Sequence, residues 1–195
     1  MDRRSALKVS GAVFTLATAG CSSMPAMGRW IPLFDGKGID AFNAVGNANW
    51  RVVDGILESD RGPGFLVSKQ SFDNFRIRAE FYANADTNSG IFIRCQDPNK
   101  IGAANSYEVN IWDTRKDPTY GTAAIVDFAK VSQPYPKAGG RWNTFEITAD
   151  GPRLVVVFNG QTTVDIRDTK YARGPIALQS SGGLIRFRRV LVQPI

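Results

Sequence analysis

The chain has 195 residues, 43% of them hydrophobic, a formal charge of +6 and no histidine. That length and composition suit one sizeable core in one domain and exclude global disorder. Without His there is no Ser-His-Asp or Cys-His machinery, no HExxH zinc site and no imidazole acid–base group. Phosphate loops, GxGxxG and CxxC are also missing. The basic excess is modest, and its densest cluster, Arg186, Arg188 and Arg189, reads as the solvated face of a last strand rather than a nucleic-acid stripe.

In chain order the first signal is MDRRSALK. Its paired Arg3 and Arg4, followed by Leu7 and Lys8, resemble a twin-arginine export signal. Val9–Gly20 is apolar but too short, and too rich in Gly, Ser and Thr, for a permanent membrane helix. It ends in TAGC, which looks like a lipoprotein cleavage box with Thr18 in place of the usual Leu. A plain signal peptide with a coincidental Cys is the alternative. Residues 1–20 are thus expected to be an export signal, 21–29 a tether and 30–195 a single domain. The expected product is a periplasmic or outer-membrane-anchored lipoprotein that meets the membrane only through a lipid on Cys21. Cys95 is then the only thiol left, which precludes an intramolecular disulfide.

The remainder reads as short strands. WRVV and ILES flank Asp54-Gly55, the first hairpin turn. FLVSK, NFRIRAEFYA, SGIFIRCQ, SYEVNIWD, WNTFEITAD, RLVVVFNG, TTVDIRD, GPIALQ and LIRFRRVLV follow, mostly alternating apolar and polar. Asn159-Gly160 is the strongest hairpin signal. Helical turns are expected only near Asp97–Ala104 and Asp168–Ala172. The expected fold is all-β, a sandwich or jelly roll of antiparallel sheets. The longest turn-rich segment, Thr114–Gly140, is long enough to carry function.

Strand parity assembles a candidate site. In SYEVNIWD, Val109 and Ile111 alternate with Glu108, Asn110 and Trp112; in SGIFIRC, Ile91 and Ile93 alternate with Gly90, Phe92 and Arg94. If these sequential strands pair, Glu108 and Arg94 share a face. The functional reading is a groove with Glu108 as acid or base, Arg94 on an oxyanion, Asn110 on hydroxyls and Trp112 stacked on a sugar. The plainer reading, which alternation alone favours, is a solvated face with a cross-strand ion pair. Asp113 lies five positions from Glu108 and points to the opposite face in an unbroken strand, so it needs a strand end or bulge to join a binding site.

The ordered segments IPLFDGKGIDAF, NWRVVDGILES, FDNFRIRAEFYANADTNSGIFIRC, SYEVNIWD, GTAAIVDFAK, AGGRWNTFEITADG and GPIALQ resemble the 3-keto-disaccharide hydrolase domain family, formerly domain of unknown function 1080, over about Trp30–Ile195. The resemblance implies a concanavalin A-like jelly roll whose concave sheet binds oxidised sugars or glycans, cleaving 3-keto-glycosides or 3-keto-disaccharides by hydrolysis or β-elimination. A ketone at C3 acidifies the proton at C2, so a base can start elimination of the C1 oxygen. On this reading Glu108, Arg94 and Lys130 are the catalytic candidates, and Asn110, Trp112, Asp113 and Gln179 bind substrate. The chain departs from related sequences at Val126 and at Ser180-Ser181-Gly182, where relatives carry aromatic residues. No metal ligand set is evident; calcium is a divalent cation that similar folds hold at the rim, and Asp35–Asp40 reads instead as a plain turn. A non-catalytic, lectin-like carbohydrate-binding lipoprotein is the competing expectation.

Overall fold

The computed structural model describes residues 28–195. The expected export signal, Cys21 and most of the expected tether lie outside the described residues. Gly28 already belongs to the fold: its N–H donates to the Pro194 carbonyl at 3.1 Å, and its own carbonyl accepts from Gln193 Nε2 at 2.7 Å.

Among the described residues, thirteen strands form two antiparallel sheets. They are β1 (Ile31–Phe34), β2 (Phe42–Gly46), β3 (Arg51–Val53), β4 (Ile56–Ser59), β5 (Gly64–Phe72), β6 (Phe75–Ala83), β7 (Asn88–Ile93), β8 (Tyr107–Trp112), β9 (Arg141–Asp150), β10 (Arg153–Phe158), β11 (Gln161–Arg167), β12 (Gly174–Ser180) and β13 (Ile185–Pro194). The larger sheet runs β11-β10-β9-β6-β13-β4-β3, with β1 also on β13; the smaller runs β2-β5-β12-β7-β8. β13 pairs along nearly its whole length with β6, while β4 and β1 share its other edge. This is the expected all-β sandwich.

Both expected hairpins form. Asp54 and Gly55 have φ of +50° and +76°, Asn159 and Gly160 +49° and +83°. Two successive left-handed residues are what a type I′ turn demands, and Asn-Gly or Asp-Gly supplies them at least cost. Of the expected helical turns, one 3-10 turn forms at Ala103–Asn105. Asp168–Ala172 has no helix, because its backbone is tied elsewhere. Asp168 Oδ1 accepts from the Lys170 N–H at 2.8 Å and from the Tyr107 hydroxyl, and the Tyr107 hydroxyl accepts from the Tyr171 N–H at 3.1 Å. A second 3-10 turn, Pro118–Tyr120, is capped by Asp117.

Alternation decides what is buried. Ile77, Ala79 and Phe81 of β6 and Phe145 and Ile147 of β9 meet Leu66, Ile91, Ile93, Val109 and Ile111 of the smaller sheet in one core. Phe81 stacks on Phe145 with centroids 4.9 Å apart, and Phe158 and Phe187 pack around the pair. Each such ring removed from water contributes about 2–3 kcal/mol, and so fixes the register of both sheets.

β8 is an edge strand, and its free edge is covered. Asn110 N–H donates to the Ala124 carbonyl, Ala123 N–H to the Asn110 carbonyl and Val126 N–H to the Glu108 carbonyl, at 2.9–3.0 Å. The long segment after β8 therefore satisfies the exposed ladder groups.

Candidate active site

Core-facing residues of the smaller sheet leave their alternates pointing away from the larger sheet. The β7–β8 ladder sets Gly90 opposite Asn110, Phe92 opposite Glu108 and Asn88 opposite Trp112. Ala177 of β12 pairs with Phe92, and that register continued sets Gln179 beside Gly90. Ala177 pairs on its other side with Val67, Gln179 with Phe65, and these in turn with Asn43 and Val45. Two rows thus cross five strands on one face: Asn43–Val67–Ala177–Phe92–Glu108 and Val45–Phe65–Gln179–Gly90–Asn110.

Glu108 is 9% exposed. Burial pushes its carboxyl up to about 7; the positive charge of Arg115 opposes the shift and the negative charge of Asp127 adds to it. Gly90 provides the room. A Cβ placed there would stand 3.3 Å from the Phe92 ring and 3.5 Å from Glu108 Cγ. Asn110 is fully buried and donates from Nδ2 to the Tyr120 carbonyl at 2.7 Å. Its Oδ1, and Oε1 of Gln179, are buried acceptors with no partner. Unpaired buried acceptors are costly and concentrate where a ligand or water completes them. Here two of them flank the one position in the row that has no side chain.

Arg94 does not join this face, although its strand pairs with β8 as expected. β7 ends at Ile93, and Arg94 takes φ of +53°, which breaks the alternation. Its side chain, 1% exposed, runs to the end of the sandwich. There Nε and Nη2 donate to the Asp73 carbonyl at 3.0 and 2.7 Å, and Nη1 to the carbonyls of Gly151 and Tyr171 at 2.9 and 3.1 Å. Burial lowers its pKa below the ordinary arginine value, partly offset by Tyr107, Asp73 and Asp150. The guanidinium fork is a tie between turns, with its donors spent on backbone.

Asp113 follows the end of β8 and is also spent on the backbone. Its carboxylate accepts from the Ala138 N–H at 2.9 and 3.0 Å, from the Gly139 N–H at 2.8 Å and from Thr122 Oγ1 at 2.6 Å. It anchors both ends of the long loop rather than lying beside Glu108. Trp112 is half-buried, donates from Nε1 to Thr114 Oγ1 at 3.1 Å and has the Arg115 guanidinium over its ring at 5.3 Å. The two line a shallow cavity of about 580 Å³ with Lys116, Asp117 and Pro118. Lys130 is exposed, its ammonium 5.3 Å from the centre of the Tyr120 ring. The structure therefore brings together Glu108, Asn110 and Gln179, sets Trp112 at their margin, and separates Arg94 and Asp113 from them.

Phe92, Gly90, Arg115 and Asp127 are the residues that strand parity alone left without a role. The first two share Glu108's face in the alternation and were legible there; Arg115 and Asp127 come from the loop. Among the described residues, no group of three or more Cys, Asp or Glu stands close enough to hold a metal ion. Asp35 of the rim turn pairs with Lys37 at 3.6 Å, which does not fit a calcium cage.

Two antiparallel sheets in this order, with amides and one buried carboxyl on the face of the smaller sheet turned from the core, make a concanavalin A-like jelly roll. Residues 29–193 match the 3-keto-alpha-glucoside-1,2-lyase-like domain, and the chain belongs to that family. A protein from Parabacteroides distasonis, described as a candidate glycosyl hydrolase, is 25% identical and superposes with a TM-score of 0.72 over 86% of this chain and 100% of its own. Carbohydrate-binding module CBM66 from Bacillus subtilis is 15% identical, TM-score 0.56, with 85% and 95% covered. A Bacillus subtilis protein with a galectin-like fold is 12% identical, TM-score 0.61, with 84% and 94% covered; these last two are likenesses of fold. No curated protein matches.

Proposed function

We propose that the protein cleaves glycosides already oxidised to a ketone at C3, with Glu108 moving the proton. The observation that carries this reading is a single carboxyl, buried against Phe92 and shifted to about 7, beside two partnerless amide oxygens. A carboxylate of that basicity is suited to remove a proton acidified by a neighbouring ketone near neutral pH. The C2–H bond breaks toward Glu108, its electron pair forms the C1–C2 double bond, and the C1–O bond breaks. The departing oxygen takes up a proton, which the protonated Glu108 can return. The products are an unsaturated keto-sugar and the free alcohol; water added across the double bond completes a net hydrolysis.

Charge accumulating on the C3 oxygen needs a donor or cation. Arg94 is committed elsewhere, so that role passes to Arg115, the cation acting on Glu108, and to the amide nitrogen of Gln179. Asn110 Oδ1 and Gln179 Oε1 accept from sugar hydroxyls. A lectin-like reading has support in the same two amides, which serve binding with or without chemistry.

Glu108→Gln separates the two. On the enzymatic reading it reduces turnover of a 3-keto-glycoside by 10³-fold or more, on the order expected for loss of a general base, while calorimetry still shows sugar binding. Binding by the parent protein with no turnover at all favours the lectin-like reading. Envelope anchoring through Cys21 belongs to this proposal too: Cys21→Ala is expected to abolish incorporation of labelled palmitate, and unchanged labelling would refute it.

A further inference from the structure

We infer that Asp113 is a positioning residue for this site: its carboxylate closes both arms of the Thr114–Gly140 segment on the end of β8 and so holds Asn110, Arg115 and Asp127 in their places around Glu108. The inference rests on the reading of Glu108 as the proton-transfer group.

The first arm leaves β8 at Asp113 and returns at Thr122. The Thr122 hydroxyl donates to Asp113 Oδ1 at 2.6 Å and accepts from the Trp112 N–H at 3.0 Å. This arm carries Arg115 and Tyr120, and the Tyr120 carbonyl accepts from Asn110 Nδ2 at 2.7 Å. That bond decides which end of the buried amide is left over, and it is Oδ1. The second arm runs from Ala123 to Lys137 and carries Asp127. It ends where Asp113 accepts from the Ala138 N–H at 2.9 and 3.0 Å and from the Gly139 N–H at 2.8 Å. The arms also meet each other, the Val131 N–H donating to the Thr119 carbonyl at 2.8 Å. The far anchor is fixed to the larger sheet: Asn143 Nδ2 donates to the Ala138 carbonyl and the Gly140 N–H to the Ala83 carbonyl, both at 2.8 Å. The fit there is close, since a Cβ on Gly139 would stand 2.6 Å from Ala85 Cα and 3.1 Å from Asp113 Oδ2.

The two charges that act on Glu108 lie one on each arm, Arg115 on the first and Asp127 on the second. Its neighbour across the β7–β8 ladder, Phe92, carries no charge. On the free edge of β8 the Val126 N–H donates to the Glu108 carbonyl, so the second arm also walls that side. Opening the clasp therefore admits water to Glu108 and frees two charges whose effects oppose each other. Burial is the largest cause of its raised proton affinity, so the affinity falls.

The chain has four glutamates, Glu58, Glu80, Glu108 and Glu146, so the Glu108 carboxyl can be followed by NMR in protein carrying isotope-labelled glutamate, its signal identified by loss in Glu108→Gln. In Asp113→Asn one donor of the clasp loses its acceptor whichever way the amide turns. The Glu108 midpoint is then expected to fall by about one pH unit, with the pH profile of kcat/KM on a 3-keto-glucoside moving alongside it. Thr122→Val is expected to shift the midpoint the same way by less, and Thr122→Ser, which keeps the hydroxyl, to restore it. An anchor needed only for folding would lower the melting temperature and leave the midpoint at the parent's value. That result in Asp113→Asn, or in Thr122→Val should Asp113→Asn not fold, would overturn the inference. If the parent cleaves no keto-glycoside, the proton-transfer reading of Glu108 fails, and the carboxyl titration still decides whether Asp113 sets its surroundings.

Discussion

Phe92 and Glu108 face each other across the β7–β8 ladder, and this pairing sets a carboxyl beside an aromatic ring on the face of the smaller sheet turned away from the core between the sheets. The carboxyl's ordinary value of 4.5 rises to about 7, with loss of solvent the largest cause. A residue that would be a spectator on a solvated strand thereby gains a proton affinity matched to neutral pH.

Activity should therefore rise with pH through a step near 7, as Glu108 loses its proton and becomes the base. The chain has no His, so an imidazole cannot account for that step. Arg115→Gln should move the midpoint up and Asp127→Asn should move it down, since the first charge opposes the shift and the second adds to it. The pH profile of kcat/KM checks both directions.

The same shift carries a stability signature of defined sign. Between pH 4.5 and 7 the folded protein binds more protons at Glu108 than the unfolded chain does, so stability falls as pH rises through that window. Above it the ionised, buried carboxylate costs up to about 3 kcal/mol. Glu108→Gln should raise the melting temperature at pH 8 and lose most of that advantage at pH 4, measured by thermal unfolding across the range.

Arg94 should behave as a structural residue. Arg94→Met strips the carbonyls of Asp73, Gly151 and Tyr171 of their donor, at an expected cost of about 3 kcal/mol or more. Arg94→Lys keeps the charge but not the fork and should recover only part of it. Activity per folded molecule should stay unchanged in the lysine variant, read from turnover normalised to the folded fraction.

Gly90→Ala tests the floor of the site. The added methyl would lie 3.2 Å from the Val109 carbonyl oxygen and 3.3 Å from the Phe92 ring, so the ring must yield by a few tenths of an ångström. The expected outcome is about tenfold weaker sugar binding with a change in melting temperature of only a few degrees, measured by calorimetry and thermal unfolding. A variant that binds as the parent does would place the ligand elsewhere.

Much of this architecture is local and so legible in the sequence. Alternation in β6, β7, β8 and β9 marks which residues reach the core, and Asp54-Gly55 and Asn159-Gly160 specify their own turns. β1 and β2 escape notice because IPLF and FNAVG are too short to show a period. The place of β13 between β6 and β4 depends on pairing across more than a hundred residues, which no local pattern encodes. Arg94 misleads for a sharper reason: parity holds only while the strand lasts, and one left-handed residue just past Ile93 reverses it. Asp113 was recognisable as a residue off the Glu108 face, but its backbone partners lie 25 and 26 positions away. Glu108, Asn110 and Gln179 lie on one face because all three sit inside intact strands.

The measurement closest to the central claim is cleavage of a 3-keto-glucoside and its unoxidised parent by the soluble domain, followed by mass spectrometry in D2O. Cleavage of the keto compound alone, with deuterium appearing at C2 of the recovered sugar and both signals lost in Glu108→Gln, is the predicted result. Cleavage of the unoxidised parent, or of the keto compound without dependence on Glu108, would contradict the account.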